Sequence, residues 1–272
     1  MKSPLKYHGG KSYLAKKILS LLPPRDTWHL WREPYFGGGS VTFALDPEGI
    51  SEAVNDIDGE LTNFWMVLRD IPDRMLRALW ATPLSQDMFE NSVDFAAQPD
   101  RVRKATQFFI RCRQSRQGLM QDFATPTSRV RRGMNENVSA WLSAVDGLPE
   151  VHERLRRIEI RNMDACDFIR KYDHKDAVFY LDPPYLHETR VSQNAYRHEM
   201  SFEDHGRLLA VLGSIQGKFL LSGYRSDVYD EAAEAFGWNR TDISIDNKAS
   251  SKKTKDTKTE CIWRNYGEES LT

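Results

Sequence analysis

The run Val178-Phe179-Tyr180-Leu181, leading straight into Asp182-Pro183-Pro184-Tyr185, restricts the fold more than any other stretch of this chain. An unbroken apolar tetrad stopped by two prolines reads as a short strand buried on both faces. Such strands belong to parallel sheets covered by helices. Similar strand signals at residues 28–32, 50–54, 158–160, 218–222 and 261–263 alternate with helix-period stretches at 12–22, 61–68, 205–215 and 227–236. A further helix is expected between Ser40 and Asp46-Pro47. The alternation predicts an α/β domain with a mostly parallel sheet.

From about Pro72 to Arg157 the pattern changes. Helical periodicity dominates at 73–80, 101–114 and 137–145, while 118–133 is polar, basic and rich in turn formers. This reads as an insert, and the expected division is 1–68 and 158–272 for the sheet domain, with 69–157 between them. Trp28, Trp31, Trp65, Trp80 and Trp141 are expected in the core.

Charge adds to this picture only through its distribution. The chain has 38 Lys+Arg against 39 Asp+Glu, a net charge of −1, which announces no nucleic-acid binder. Yet between Asp100 and Arg132 nine basic residues face only Asp100 and Asp122, and a second cluster, Lys248, Lys252, Lys253, Lys255 and Lys258, is opposed by Asp256 alone. Local positive fields of this kind suit a phosphate backbone, although a solvated helix face and a loop would give the same pattern. No apolar run approaches the ~20 residues that span a bilayer. The first residues carry no apolar leader core, and Cys112, Cys166 and Cys261 are isolated and odd in number. The expectation is a reduced, cytoplasmic, soluble protein without a metal.

The tetrad also suggests chemistry. A specified tetrapeptide arises by chance in roughly one chain of this length in several hundred, and this one follows a strand, where open α/β sheets bind ligands. An exocyclic amine on a nucleobase is a poor nucleophile because its lone pair is delocalised into the ring. Two acceptors at its N–H groups, the Asp182 carboxylate and the Pro183 carbonyl, would favour pyramidalisation and aim the lone pair outward. Tyr185 offers a face for a base taken out of the duplex. No Pro-Cys pair is present, so ring-carbon methylation through a cysteine adduct is disfavoured. A glycine-rich turn, Gly37-Gly38-Gly39, follows the first strand, and Asp56 and Asp58 lie about 20 residues on, the spacing of a ribose-binding acid. Asp56, first after its strand, is the choice; helix capping is the other use of either aspartate.

In order along the chain stand Lys6-Tyr7-His8-Gly9-Gly10-Lys11, Glu33-Pro34-Tyr35-Phe36-Gly37-Gly38-Gly39-Ser40, Asn55-Asp56-Ile57-Asp58, Asp182-Pro183-Pro184-Tyr185 and Thr259-Glu260-Cys261-Ile262-Trp263-Arg264-Asn265-Tyr266. This series resembles the Dam-like DNA adenine methyltransferases over nearly the whole length. The resemblance implies a Rossmann-like methyltransferase sheet that binds S-adenosylmethionine and carries an inserted helical target-recognition domain. It implies methyl transfer to the N6 amine of adenine in double-stranded DNA after base flipping, with Asp182, Pro183, Pro184 and Tyr185 catalytic. Cofactor contacts implied by the match are Tyr7, Lys11, Pro34, Tyr35, Phe36, Gly37, Gly39, Asp56 and Asp182, with Asp167 and Phe168 as a looser correspondence. Arg116, Gly118, Arg129, Arg131 and Arg132 would lie against DNA, as would Lys252 and Lys253. A bacterial or phage setting, a link to restriction and a monomeric state complete the expectation. Two departures are Tyr35-Phe36-Gly37-Gly38-Gly39, where many members have Pro-Phe-x-Gly-x-Gly, and Leu221-Ser222-Gly223-Tyr224, where some have Ser-Asn.

Because the tetrad reads an amine and not a ring identity, N4 of cytosine and adenine in RNA stay open from the residues alone. A non-catalytic DNA-binding module keeping the same fold is the alternative from another class. A dinucleotide dehydrogenase fits less well, since the glycine turn lacks the full spacing.

Overall fold

The computed structural model describes residues 1–7, 9–186, 198–245 and 258–267. In chain order its elements are α1 (Ala15–Leu19), β1 (Leu30–Glu33), β2 (Ser51–Asn55), α2 (Gly59–Asp70), α3 (Pro72–Trp80), α4 (Gln86–Glu90), α5 (Arg101–Gln114), β3 (Val130–Arg131) and β4 (Met134–Asn135). They continue with α6 (Glu136–Asp146), α7 (Leu148–Leu155), β5 (Ile158–Arg161), α8 (Ala165–Tyr172), β6 (Ala177–Leu181), α9 (Phe202–Leu212), β7 (Lys218–Gly223), α10 (Asp227–Phe236), β8 (Asn239–Ile245) and β9 (Lys258–Arg264). The chain forms two compact units. The first comprises Met1–Ala15, Phe36–Asp46 and Asp56–Asn162; the second comprises Lys16–Tyr35, Pro47–Asn55 and Met163–Thr272.

The second unit contains six strands in the order β2-β1-β6-β7-β9-β8. The first four run parallel, whereas β9 is antiparallel to β7 and to β8. β6 lies between β1 and β7 and is buried along its whole length, which explains its unbroken apolar sequence. Ala177, Phe179 and Leu181 point to one face, where Cys166 and Ile169 of α8, Leu208 and Leu212 of α9, and Tyr229 of α10 cover them. Tyr180 faces the other way and stacks on Trp31 with ring centroids 6.3 Å apart.

The first unit is built on α2 and α5. Asp58 caps α2 by accepting from Glu60 N and Leu61 N, and Asp100 caps α5 through Val102 N and Arg103 N. Between these helices an aromatic chain runs Phe43–Trp65–Phe64–Phe109–Trp141, with centroid spacings of 4.7–5.6 Å. Each fully buried ring contributes about 1.5–3 kcal/mol from apolar surface removed from water.

Several expectations are corrected. The stretch after Ser40 forms a single 3-10 turn at Thr42–Ala44 rather than a longer helix. Pro47 accounts for this, because the residue before a proline is disfavoured in helical geometry. The helix expected over 12–22 is regular only at Ala15–Leu19. Trp80 is 59% exposed: Met75, Leu76 and Leu79 form the inner stripe of α3, and a residue adjacent to Leu79 is turned ~100° away. Elements the sequence reading did not place are α4, α7, α8, β8 and the β3–β4 hairpin. That hairpin turns at Arg132 and Gly133, with φ of 56° and 74°, the left-handed pair of a type I′ turn. Lys252 and Lys253 lie outside the described residues. Among the described residues no helix is long and apolar enough to cross a membrane.

Candidate active site

In the first unit the glycine turn is a tightly packed loop. Gly37 and Gly39 have φ of +49° and +69°. A Cβ on Gly39 would stand 2.6 Å from Phe43 and 2.7 Å from Phe36, both buried, so only glycine fits. The loop is also tied by hydrogen bonds. Gly37 N donates to Asp56 Oδ2 at 2.8 Å, Asp58 N donates to Asp56 Oδ1 at 3.0 Å, and Trp65 Nε1 donates to Gly37 O at 3.1 Å. Tyr7 lies along the same backbone: a Cβ on Gly37 would be 3.3 Å from its ring, and one on Gly38 3.1 Å from its Cβ. Lys11 is buried, and its Nζ donates to Gly9 O at 3.3 Å. The structure therefore brings Tyr7, Phe36, Gly37, Gly39 and Asp56 together and separates the two aspartates by role. Asp58 is the helix cap, whereas Asp56 fixes the glycine turn.

The DNA-facing candidates of this unit have distinct settings. Arg116 opens a 3-10 turn, Arg116–Gly118, and lines an open cleft of about 680 Å³ together with Gln86, Asp122, Thr125, Asn135 and Asn137. Gly118 is buried, not presented to a ligand. Its φ is +76°, and a Cβ there would lie 1.7 Å from the Lys6 carbonyl oxygen. Around this contact Lys6 Nζ donates to Ser115 O at 3.1 Å and Cys112 Sγ to Lys6 O at 3.4 Å. Arg129, Arg131 and Arg132 ride the exposed hairpin. Arg129 is 3.9 Å from Glu136, and Arg132 Nη1 donates to Ser143 Oγ at 2.6 Å. Two members of the basic run are structural: Arg111 lies over the Phe89 ring and donates to Phe89 O, and Arg113 donates to Ala140 O.

In the second unit Asp182 leaves the carboxyl end of β6. Tyr185 folds back so that its hydroxyl reaches Asp182 Oδ1 at 3.2 Å and Glu260 Oε1 more closely still. Its ring meets Tyr224 edge-on, with centroids 4.7 Å apart. Burial, followed by the charges of Asp182 and Glu260, pushes the Tyr185 phenol well above its ordinary range, so the group remains a neutral donor. Beneath it, Tyr180 and Ser222 share a hydrogen bond of 3.0 Å across β6 and β7. Pro34 O accepts from Asn55 Nδ2 at 3.1 Å, and the same amide group bonds Met163 O and N, which pins the end of β1. Tyr35 is half-buried against the core. Asp167 stands exposed in the first turn of α8 and pairs with Arg170 at 3.2 Å. Phe168 is fully enclosed and stacks on Tyr172 at 4.4 Å, so its side chain presents no surface to a cofactor ring. The sequence reading missed Glu260 as a site residue. Its available signal was a carboxylate directly before the apolar run Cys261-Ile262-Trp263.

Residues 7–243 match the family described as D12 class N6 adenine-specific DNA methyltransferase, and the chain belongs to that family. It transfers a methyl group from S-adenosylmethionine to the N6 amine of adenine in DNA. The Type II methyltransferase M1.LlaDCHI of Lactococcus lactis subsp. cremoris is 26% identical over 290 residues, covering 96% of this chain and 94% of that protein. Among solved structures, precorrin 8w decarboxylase from Methanobacterium thermoautotrophicum aligns with a TM-score of 0.43 at 10% identity, over 98% of this chain and 96% of that one. The rRNA methyltransferase aviRa from Streptomyces viridochromogenes aligns with a TM-score of 0.41 at 14% identity, over 97% and 90%.

Proposed function

We propose that the target adenine is swung out of double-stranded DNA and received at the Asp182-Pro183-Pro184-Tyr185 turn. The cofactor supplies an electrophilic methyl group carried on a sulfonium. Asp182 accepts one N–H of the adenine amine and the Pro183 carbonyl accepts the other, so the nitrogen lone pair leaves conjugation and is aimed at the methyl carbon. With the donor bound, the C–N bond would form as the C–S bond breaks, the neutral thioether would leave, and the proton lost from nitrogen would pass to the Asp182 carboxylate and on to solvent. Tyr185 borders the base, and Pro184 holds the turn rigid. The observation that carries this reading is Asp182's position at the carboxyl end of a fully buried strand, where the diproline turn begins.

Within the first unit the cofactor contacts proposed are Tyr7, Lys11, Phe36, Gly37, Gly39 and Asp56; Pro34, Tyr35 and Asp167, in the second unit, are proposed on the sequence resemblance alone. Residues 69–157 serve as the target-recognition insert, in which Arg116, Arg129, Arg131 and Arg132 meet phosphates or guanine edges. Their support is the basic hairpin and the open cleft in which Arg116, Asn135 and Asn137 stand beside Leu84, Phe123 and Val138. The enzyme acts as a monomer in a bacterial or phage-infected cytoplasm, and kinship with a Type II methyltransferase supports a restriction partner.

Asp182→Ala tests the reading. Labelled methyl transfer to DNA is expected to vanish while calorimetric binding of S-adenosylmethionine persists. Retained turnover would remove Asp182 from the mechanism. Chromatography of digested product is expected to give N6-methyladenine as the labelled base.

A further inference from the structure

Tyr185 has a single hydroxyl proton, and two carboxylates lie within its reach. The nearer is Glu260, which is 1% exposed on β9, opposite Ile243 of β8 and one residue before Cys261, the partner of Gly223 in β7. The farther is Asp182 at 3.2 Å, the acceptor proposed for the adenine amine. A hydroxyl can satisfy only one of them at a time. When it points at Asp182 it occupies a lone pair that the amine needs, and it lowers the basicity of that carboxylate. When it points at Glu260, the phenol no longer competes with the amine for that oxygen. Burying a carboxylate on a closing strand costs several kcal/mol unless hydrogen bonds offset it, so its presence at this spot calls for a role.

We infer that Glu260 is a positioning residue for methyl transfer: it draws the Tyr185 hydroxyl away from Asp182, so that Asp182 meets the adenine amine without the phenol's proton on its oxygen. Glu260 touches neither substrate nor methyl donor and acts wholly through Tyr185. The inference rests on the Asp182 reading above.

The test is a two-by-two set made in the full chain: wild type, Glu260→Gln, Tyr185→Phe and the double variant. Folding is followed by thermal unfolding, cofactor binding by calorimetry and methylation by single-turnover kinetics on duplex DNA. Glutamine keeps the shape but withdraws the charge, so the phenol turns toward the remaining carboxylate. Glu260→Gln is expected to slow methyl transfer about tenfold, with Kd for S-adenosylmethionine and KM for DNA unchanged. In the Tyr185→Phe background, where no hydroxyl competes, the same substitution is expected to cost less than twofold. Glu260→Asp, which keeps the charge, should recover most of the rate lost in Glu260→Gln.

An equal cost of Glu260→Gln in both backgrounds, or no cost in either, would overturn the inference. So would a loss in Glu260→Asp as large as that in Glu260→Gln. If Glu260→Gln does not fold, Glu260→Met, which also withdraws the charge at similar volume, is read in the wild-type and Tyr185→Phe backgrounds by the same criterion. The outcome is separable from the parent reading: active Asp182→Ala fails the site assignment, whereas inactive Asp182→Ala with background-independent Glu260 effects fails this step alone.

Discussion

Single atoms decide most of what each unit's candidate residues do. Asp56 spends both carboxylate oxygens on backbone N–H groups, those of Gly37 and Asp58. Asn at this position offers one acceptor oxygen and an NH₂ that faces a donor, so one bond is lost and the other weakened. Asp56→Asn is expected to cost about 1–3 kcal/mol of loop stability, read as an increase of about tenfold or more in Kd for S-adenosylmethionine by calorimetry. The same logic separates what sequence could reveal from what it could not. Asp182, Pro183 and Tyr185 are contiguous, so their chemistry was legible as a motif. Spacing leaves Asp56 and Asp58 equal, and Asp56 is preferred only as the first after its strand; the structure gives Asp58 to the α2 cap and Asp56 to the glycine turn. Glu260 stays hidden in one dimension because its partner is 75 positions away and meets it only when β9 closes beside β7.

At the level of elements, periodicity recovered those whose burial is one-sided or complete: β6, α5, α10 and the strands around them. It missed β8, whose Asn-Arg-Thr-Asp-Ile-Ser-Ile pattern is mostly polar at the sheet's edge. It also missed the β3–β4 hairpin, two residues per strand and exposed throughout, where no apolar signal exists. The hairpin depends on its turn, with Gly133 at φ 74°. A β-branched residue there is strained by roughly 1–3 kcal/mol. Gly133→Val is expected to raise KM for duplex DNA several-fold, with cofactor affinity and the midpoint of thermal unfolding nearly unchanged, because little buried surface depends on the hairpin. Gly118→Ala should behave differently. Its added Cβ would run into the Lys6 backbone, so both stability and activity are expected to fall.

Across the whole molecule, titration sets the window in which the fold is stable. Hydrogen bonds from Arg74 to Asp100 and from Ser201 to Asp204 hold those carboxyls below their ordinary pKa; Asp230, although burial acts to raise it, is also held low by Arg240 and Arg225. Groups with depressed pKa contribute stability above the unfolded value of ~4, and that stability is lost as pH falls through the folded value. Burial raises the Cys112 thiol to about 11 and the Cys261 thiol to about 12, and pushes Tyr180 and Tyr185 well up. These groups stay protonated in the folded state while the unfolded chain ionises from about pH 8.5 upward, so their contribution fades as pH rises. The unfolding midpoint is therefore expected to be flat between about pH 4 and 8.5 and to drop on both sides, as calorimetry across a pH series would record.

The thread of this protein passes between its two bodies five times. No single cut yields either body as a continuous piece, so an isolated half is not something a truncation or a simple gene fusion can produce. The long middle stretch, Asp56–Asn162, is different, because it enters and leaves the first body only once. That stretch is therefore the one large part of the first body that a single contiguous exchange could replace.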